Sequence, residues 1–275
     1  MKIKLTVTVI IFIVSISLSS SQVYSQQSDM LTKAKETLAQ QVQNPVSSLI
    51  SVPFQDNTNF ELGDHGQAQN ILNIQPVVPF SLTKKLNMIP RIIMPIVTQP
   101  DLVKGNGTTN GVGDINASFF FSPKKASKVT WGVGPILSIP TGTSPDISNG
   151  KWCLGPTAVA LIMPKQWVIG GLVNNIWSFT GQSNKPDVNT FLFQPFINYN
   201  LPEQWYFGFS PIITANWNAG SGQQWVVPLG LALGKIFTVG KQPMNVQVGA
   251  YGNVVKPDIG PAWSSRIQIA FLFPK

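Results

Sequence analysis

The chain has 275 residues, only 11% of them charged, with 23 glycines, 22 prolines and a formal net charge of +8. Soluble domains carry about a quarter charged residues, so this composition excludes an ordinary water-facing surface and favours a turn-rich β protein with another boundary. The single cysteine, Cys153, excludes a disulfide framework in any compartment.

Taken in chain order, the basic start "MKIK" precedes the apolar run "LTVTVIIFIVSISL", which is short for a membrane span. "VYSQ" follows with a small residue for cleavage, so residues 1–25 read as a secretory signal peptide cut after Ser25. No cysteine follows the cut, which argues against a lipid anchor. Loss of Lys2 and Lys4 lowers the charge from +8 to +6. In residues 26–44, Leu31, Ala34, Leu38 and Val42 recur at spacings of three and four, predicting a short amphipathic periplasmic helix ended by Asn44-Pro45.

From residue 45 to residue 275 the helical period disappears and about twelve strand-like stretches follow. They span roughly 46–54, 69–80, 87–97, 112–121, 129–139, 152–162, 167–179, 188–199, 205–217, 225–236, 244–255 and 263–273. Most have the length of a tilted transmembrane strand. Several alternate cleanly: Asp114, Asn116 and Ser118 oppose Ile115, Ala117, Phe119 and Phe121, and in the last stretch Arg266 and Gln268 oppose Ile267, Ile269, Phe271 and Phe273. Alternation of polar and apolar faces is the signature of a barrel with lipid outside and water inside.

The connections alternate as well. Short basic turns at 83–85, 122–128, 164–165, 201–204 and 239–242 separate longer loops rich in Gly, Asn, Ser, Thr and Asp, the first of them "QDNTNFELGDHGQ". An even strand number returns both ends of the barrel to the short-turn side. Trp131, Trp152, Trp167, Trp177, Trp205, Trp217, Trp225 and Trp263 all fall near strand ends, where an amphipathic indole suits a membrane interface, and Phe271 and Phe273 join them at the last rim. Lysines such as Lys84, Lys85, Lys124 and Lys165 gather at the short turns, so the basic balance belongs to a membrane rim facing anionic lipid rather than to a nucleic-acid groove. Seven prolines inside strands (Pro76, Pro95, Pro135, Pro156, Pro195, Pro211 and Pro228) cannot donate to a ladder and predict local breaks in pairing.

The stretches "QNPVSSLISVPFQDNTNF", "NILNIQPVVPF", "GVGDINASFFFSP", "WGVGPILSIPTGT" and "FLFQPFINYNLP" resemble a family of bacterial outer-membrane transporters. That family is related to the barrel family of the MetA pathway of phenol degradation, some members of which carry the label "neuromedin U". The resemblance covers nearly all of the chain after the signal. It implies an outer-membrane barrel and a transport role, with aromatic or otherwise apolar solutes implied by the family link alone. It supplies no catalytic or ligand residues.

Catalytic readings find little support. His65 is the only histidine, and it lies in the first long loop without a nucleophile motif to serve. Asp56, Glu61, Asp64 and His65 lack the spacing of a metal loop, so a solvated acidic loop is the reading, with no metal and no cofactor. The glycines of "KGNGTTNGVGD" lack the GK[ST] of a phosphate loop.

Lumen-facing positions say more. Gln75, Gln194, Asn198 and Gln247 supply amides, and Arg91, Asp114 and Arg266 are the inward charges. Hairpin arithmetic places Arg91 opposite about Ser118, away from a direct pair with Asp114. These charges either brace the interior or form a constriction that selects solutes. The sequence thus predicts an all-β, antiparallel transmembrane barrel of about twelve strands, exported to the outer membrane. Its expected partners are outer-membrane lipids and the barrel-assembly machinery. Its expected work is passive passage of a small solute of unspecified identity. The alternatives are a non-conducting barrel with a binding or envelope role and, with little support, a lipid-facing enzyme.

Overall fold

The computed structural model describes residues 38–102, 107–124 and 128–274. The signal segment 1–25 and residues 26–37 of the expected helical segment lie outside the described residues, as do Lys104, Lys125 and Lys275. Residues 38–43 are helical.

Twelve antiparallel wall strands follow among the described residues. They are β1 (Ile50–Leu62), β2 (Gln67–Ile74, resumed at Phe80–Ser81), β3 (Leu86–Gln99), β4 (Thr109–Val112 and Ile115–Pro123), β5 (Val129–Ile139) and β6 (Lys151–Ile162). The second half comprises β7 (Trp167–Gly181), β8 (Asn189–Asn200), β9 (Trp205–Phe209 and Ile213–Asn216), β10 (Trp225–Val239), β11 (Gln242–Val255) and β12 (Trp263–Phe273). Each pairs with its neighbours in sequence, and β12 closes on β1 from Ile50↔Phe273 to Phe60↔Trp263. Closure removes the edges that an open sheet would have to protect.

The two-residue period sorts the wall into faces. Leu229, Leu231 and Leu233 on β10, Val248 and Val254 on β11, and Ile267, Ile269 and Phe273 on β12 are all exposed on the outer face. A water-soluble barrel would leave these rows facing water at a cost of about 25 cal/mol per Å² of apolar area. No helix among the described residues is long and apolar enough to cross a membrane; the strands do the crossing. Seven of the eight tryptophans are exposed on the outside near strand ends. Trp263 stacks on Phe60 at 4.0 Å, Trp217 meets Trp225 edge-on at 5.4 Å, and Phe54 meets Phe271 edge-on at 6.0 Å. Lys235 lies within β10 and places its ammonium 4.5 Å from the Trp205 ring.

The prolines interrupt the ladder in an ordered way. Pro135 on β5 lies opposite Pro156 on β6. On the far side of each, pairing lapses: β4–β5 has no pair between Ser118↔Ile136 and Phe121↔Val133, and β6–β7 none between Leu154↔Trp177 and Thr157↔Asn174. The lapse between Ile197↔Phe209 and Phe193↔Ile213 spans Pro195 on β8 and Pro211 on β9. The β10–β11 register shifts at Pro228, β2 is interrupted around Pro76, and β4 breaks at residues 113–114, where Gly113 N donates to Pro95 O at 2.9 Å. A missing N–H thus bends the wall without opening it.

One expected boundary is wrong. The sequence placed a strand at 46–54 and a loop at 55–67, whereas β1 runs over Ile50–Leu62 and the turn is confined to 63–66, with positive φ at Gly63 and Gly66. The polar run Gln55–Asn59 reads as loop because its outward members are also polar. Asp56 accepts from Asn70 Nδ2 at 2.9 Å and from Thr58 Oγ1 at 3.2 Å, so this carboxylate is satisfied within the outer face. His65 stays exposed in the turn, and no cluster among the described residues has the three His, Cys, Asp or Glu groups needed for a metal.

Candidate functional site

The lumen is divided. Toward the short-turn end, inward positions on β3, β4 and β6–β8 are apolar: Ile89, Phe120, Val159, Leu161, Val168, Leu172 and Phe196 form one buried cluster. Residues 40–49, which precede β1, enter the barrel there and add Val46 to that cluster. Gly132 on β5 makes room, since a Cβ at that position would lie 2.9 Å from Val46 Cγ1. Polar contacts fix the same segment to the rim: Gln40 Nε2 donates to Lys165 O at 3.0 Å, and Gln43 and Asn200 exchange amide hydrogen bonds at 2.9 and 3.2 Å. Residues 40–49 therefore act as a plug at the short-turn mouth. The sequence allows a plug made by the N-terminal helix or an inward loop, but the apolar seat that receives it was not singled out. The signal was present, for alternation already turns Phe120, Val159, Leu161 and Phe196 inward.

Above the plug lies a cavity of ≈ 180 Å³ that brings together Gln75, Arg91, Gln194, Asn198 and Gln247, five of the seven predicted lumen residues. Arg91 sits on β3 opposite Ser118, the partner that the hairpin arithmetic gives. Its Nη2 donates to Gln75 Oε1 at 2.7 Å. Tyr206 and Asn245, also on the cavity wall, share a buried hydrogen bond of 3.0 Å that the sequence did not reveal. Whether two inward side chains meet depends on barrel closure and tilt, which alternation does not encode.

Arg266 sits beside this cavity and is braced. Its Nε donates to Asn57 Oδ1 at 3.1 Å, its Nη1 donates to Ser210 O at 3.0 Å, and its guanidinium lies 4.7 Å from the Tyr251 ring centre. Neither arginine has an ion-pair partner among the described residues.

Asp114 is elsewhere. It lies toward the long-loop end, where it accepts from Gly142 N at 3.0 Å, Ser148 Oγ at 2.7 Å and Asn149 N at 2.7 Å. Three donors from one loop make it the anchor of residues 140–150. A second cavity of ≈ 400 Å³ lies here, lined by Gln69, Gln99, Asn116 and Thr190 among others. Amides cross this level from strand to strand: Asn59 Nδ2 donates to Gln69 Oε1 at 2.8 Å, and Gln69 Nε2 donates to Gln99 Oε1. Nearby, Lys151 Nζ pairs with Asp187 Oδ1 at 3.1 Å. That bond, with a second from Ser178, holds the exposed Asp187 carboxyl below its ordinary value.

No family model matches the chain, and no curated protein sequence matches it. Solved structures do. An outer membrane channel from Pseudomonas putida F1 superimposes with a TM-score of 0.62 at 16% identity, covering 84% of this chain and 97% of that one. The NanC porin superimposes with a TM-score of 0.52 at 10% identity, covering 82% of this chain and 100% of that one. At these identities the likeness shows a shared fold, the closed barrel of outer-membrane proteins.

Proposed function

We propose that this protein is an outer-membrane channel for small solutes, closed at its periplasmic mouth by residues 40–49. The observation that carries the reading is the pair of lumen cavities, ≈ 400 Å³ and ≈ 180 Å³, lined by both amide and apolar side chains inside a wall whose outer face is apolar. An interior serving only as structure would be packed, as small barrels are. The channel and porin that share its fold agree with this assignment.

The short-turn rim is then periplasmic. The finer family assignment, to the transporters related to the MetA pathway, rests on the sequence resemblance, and so does an aromatic or apolar solute. The apolar cluster around Phe120 and Phe196 fits such a solute, because a ring leaving the upper cavity meets apolar wall before the exit. The same cluster favours the second reading, a non-conducting barrel, if Val46 never leaves it.

Single-channel recording in planar bilayers separates the two. The intact protein should show brief steps, and a variant lacking residues 26–48 should show long-lived ones. Silence from both, with insertion verified, would leave the non-conducting barrel.

A further inference from the structure

The channel reading leaves the chemistry of the solute open. We infer that the ≈ 180 Å³ cavity binds a small organic monoanion, a carboxylate carried on a ring or short apolar body, with Arg91 as its counter-charge.

The first ground is an imbalance between the two arginines. Arg266 spends its guanidinium on Asn57, Ser210 and the face of Tyr251. Among the described residues Arg91 makes one side-chain hydrogen bond, from Nη2 to Gln75 Oε1 at 2.7 Å. A guanidinium carries five donors in a planar fork matched to a carboxylate. Gln75 takes one of these donors, and Arg91 itself lines the cavity. A cation removed from bulk water without a partner is costly, and no carboxylate among the described residues pairs with Arg91. Asp114, the carboxylate among the three inward charges, is occupied by its loop.

The second ground is the rest of the wall. Gln194, Asn198 and Gln247 offer amide donors to a second oxygen, and no acidic side chain lines the cavity among the described residues. Leu172 and Phe196 supply an apolar wall for the body of the ligand. Gly208 keeps the space open: a Cβ there would lie 2.8 Å from Asn198 Oδ1 and 3.1 Å from Gln247 Nε2. The volume fits one ring, since a cavity of about 150 Å³ accepts benzene. Arg266, behind Ser210, adds positive field without competing for the ligand. A doubly charged phosphate would want a second free cation, which the wall lacks among the described residues; a monoanion needs one.

The inference deepens the channel reading by naming its solute class, yet its test needs no conduction. Protein purified from outer membranes is titrated calorimetrically in detergent with benzoate and, separately, with neutral benzamide. Benzoate should bind at least about ten-fold tighter than benzamide at low salt, and Arg91→Gln should weaken benzoate by about ten- to a hundred-fold, the range for one charged hydrogen-bonding partner. Arg91→Lys, which keeps the charge but not the fork, should fall between. Equal affinity for benzoate and benzamide, or no binding of either, overturns the proposal on the parent protein alone, even if Arg91→Gln fails to fold. A folded Arg91→Gln protein that binds benzoate like the parent overturns it too. A barrel that conducts but ignores benzoate refutes the anion site and leaves the channel. One that binds benzoate yet never conducts supports the site and removes the channel reading.

Discussion

Replacing Val46 by serine should unlatch the plug. Val46 is 5% exposed and packed among the apolar inward side chains of β3, β4 and β6–β8. Burying a valine is worth about 1.5–3 kcal/mol, and an unpartnered hydroxyl in the same place costs about 1–3 kcal/mol more. A combined shift of about 3 kcal/mol changes an equilibrium on the order of a hundred-fold. The Gln43–Asn200 hydrogen bonds remain, so the segment should still return to its seat. The assay is the open fraction in single-channel recordings of Val46→Ser beside the parent, with folding checked by heat-modifiable gel migration. Expected is a rise of at least ten-fold at unchanged step size. An unchanged open fraction in a folded variant would show that residues 40–49 are part of the wall and not its gate.

Other expectations follow from single contacts. Asp114→Ala removes the acceptor of three donors, and at about 1 kcal/mol for each bond should speed proteolysis within residues 140–150 without changing ion selectivity. Gly134→Ala would put a Cβ 1.8 Å from the Phe119 carbonyl oxygen, a backbone conflict with no flexible end to give way. It should destabilise the barrel by about 3 kcal/mol in urea titration, well beyond Gly132→Ala, whose tightest contact is the end of the Val46 side chain. Leu231 is 65% exposed in mid-strand on the outer face; Leu231→Arg should cost about 2–4 kcal/mol on folding into lipid vesicles, and an unchanged value would deny that this face meets lipid. The Lys151–Asp187 link sets a pH window. Because the folded carboxyl titrates below its unfolded value of about 3.9, its contribution is full above that value and disappears as pH falls through the lowered one. Hydrogen exchange in residues 182–188 should therefore rise in that acid range in the parent and be insensitive to it in Lys151→Met.

What could be read from the sequence was whatever depends on period. The faces of β4, β8, β11 and β12, the lumen side of Arg91 and Gln247, and the rung shared by Arg91 and Ser118 all follow from alternation and hairpin counting. The limits of β1 did not, because Asp56, Thr58 and Asn70 satisfy one another on a face where alternation expects apolar residues. Pairing across the lumen was equally hidden. Asp114 and Arg91 are both inward charges, yet one is tied to a loop and the other opens on a cavity, a difference decided by the path of residues 140–150. A plug was open from the sequence but its seat was not: residues 44–49 form neither helix nor strand, and their burial depends on a wall built from residues up to 150 positions further along.

The attachment of that plug bears on how the barrel is made. Residue 49 runs straight into β1 at the short-turn rim, and β1 is the strand on which β12 must close. A segment tethered at this rim need not be threaded through a finished wall, nor trapped as the last seam zips. It can swing in afterwards, from its attachment at the start of β1, once β3, β4 and β6–β8 have made the surface it rests on. Assembly and sealing are therefore separable events: the wall can close before the segment that seals it takes its seat.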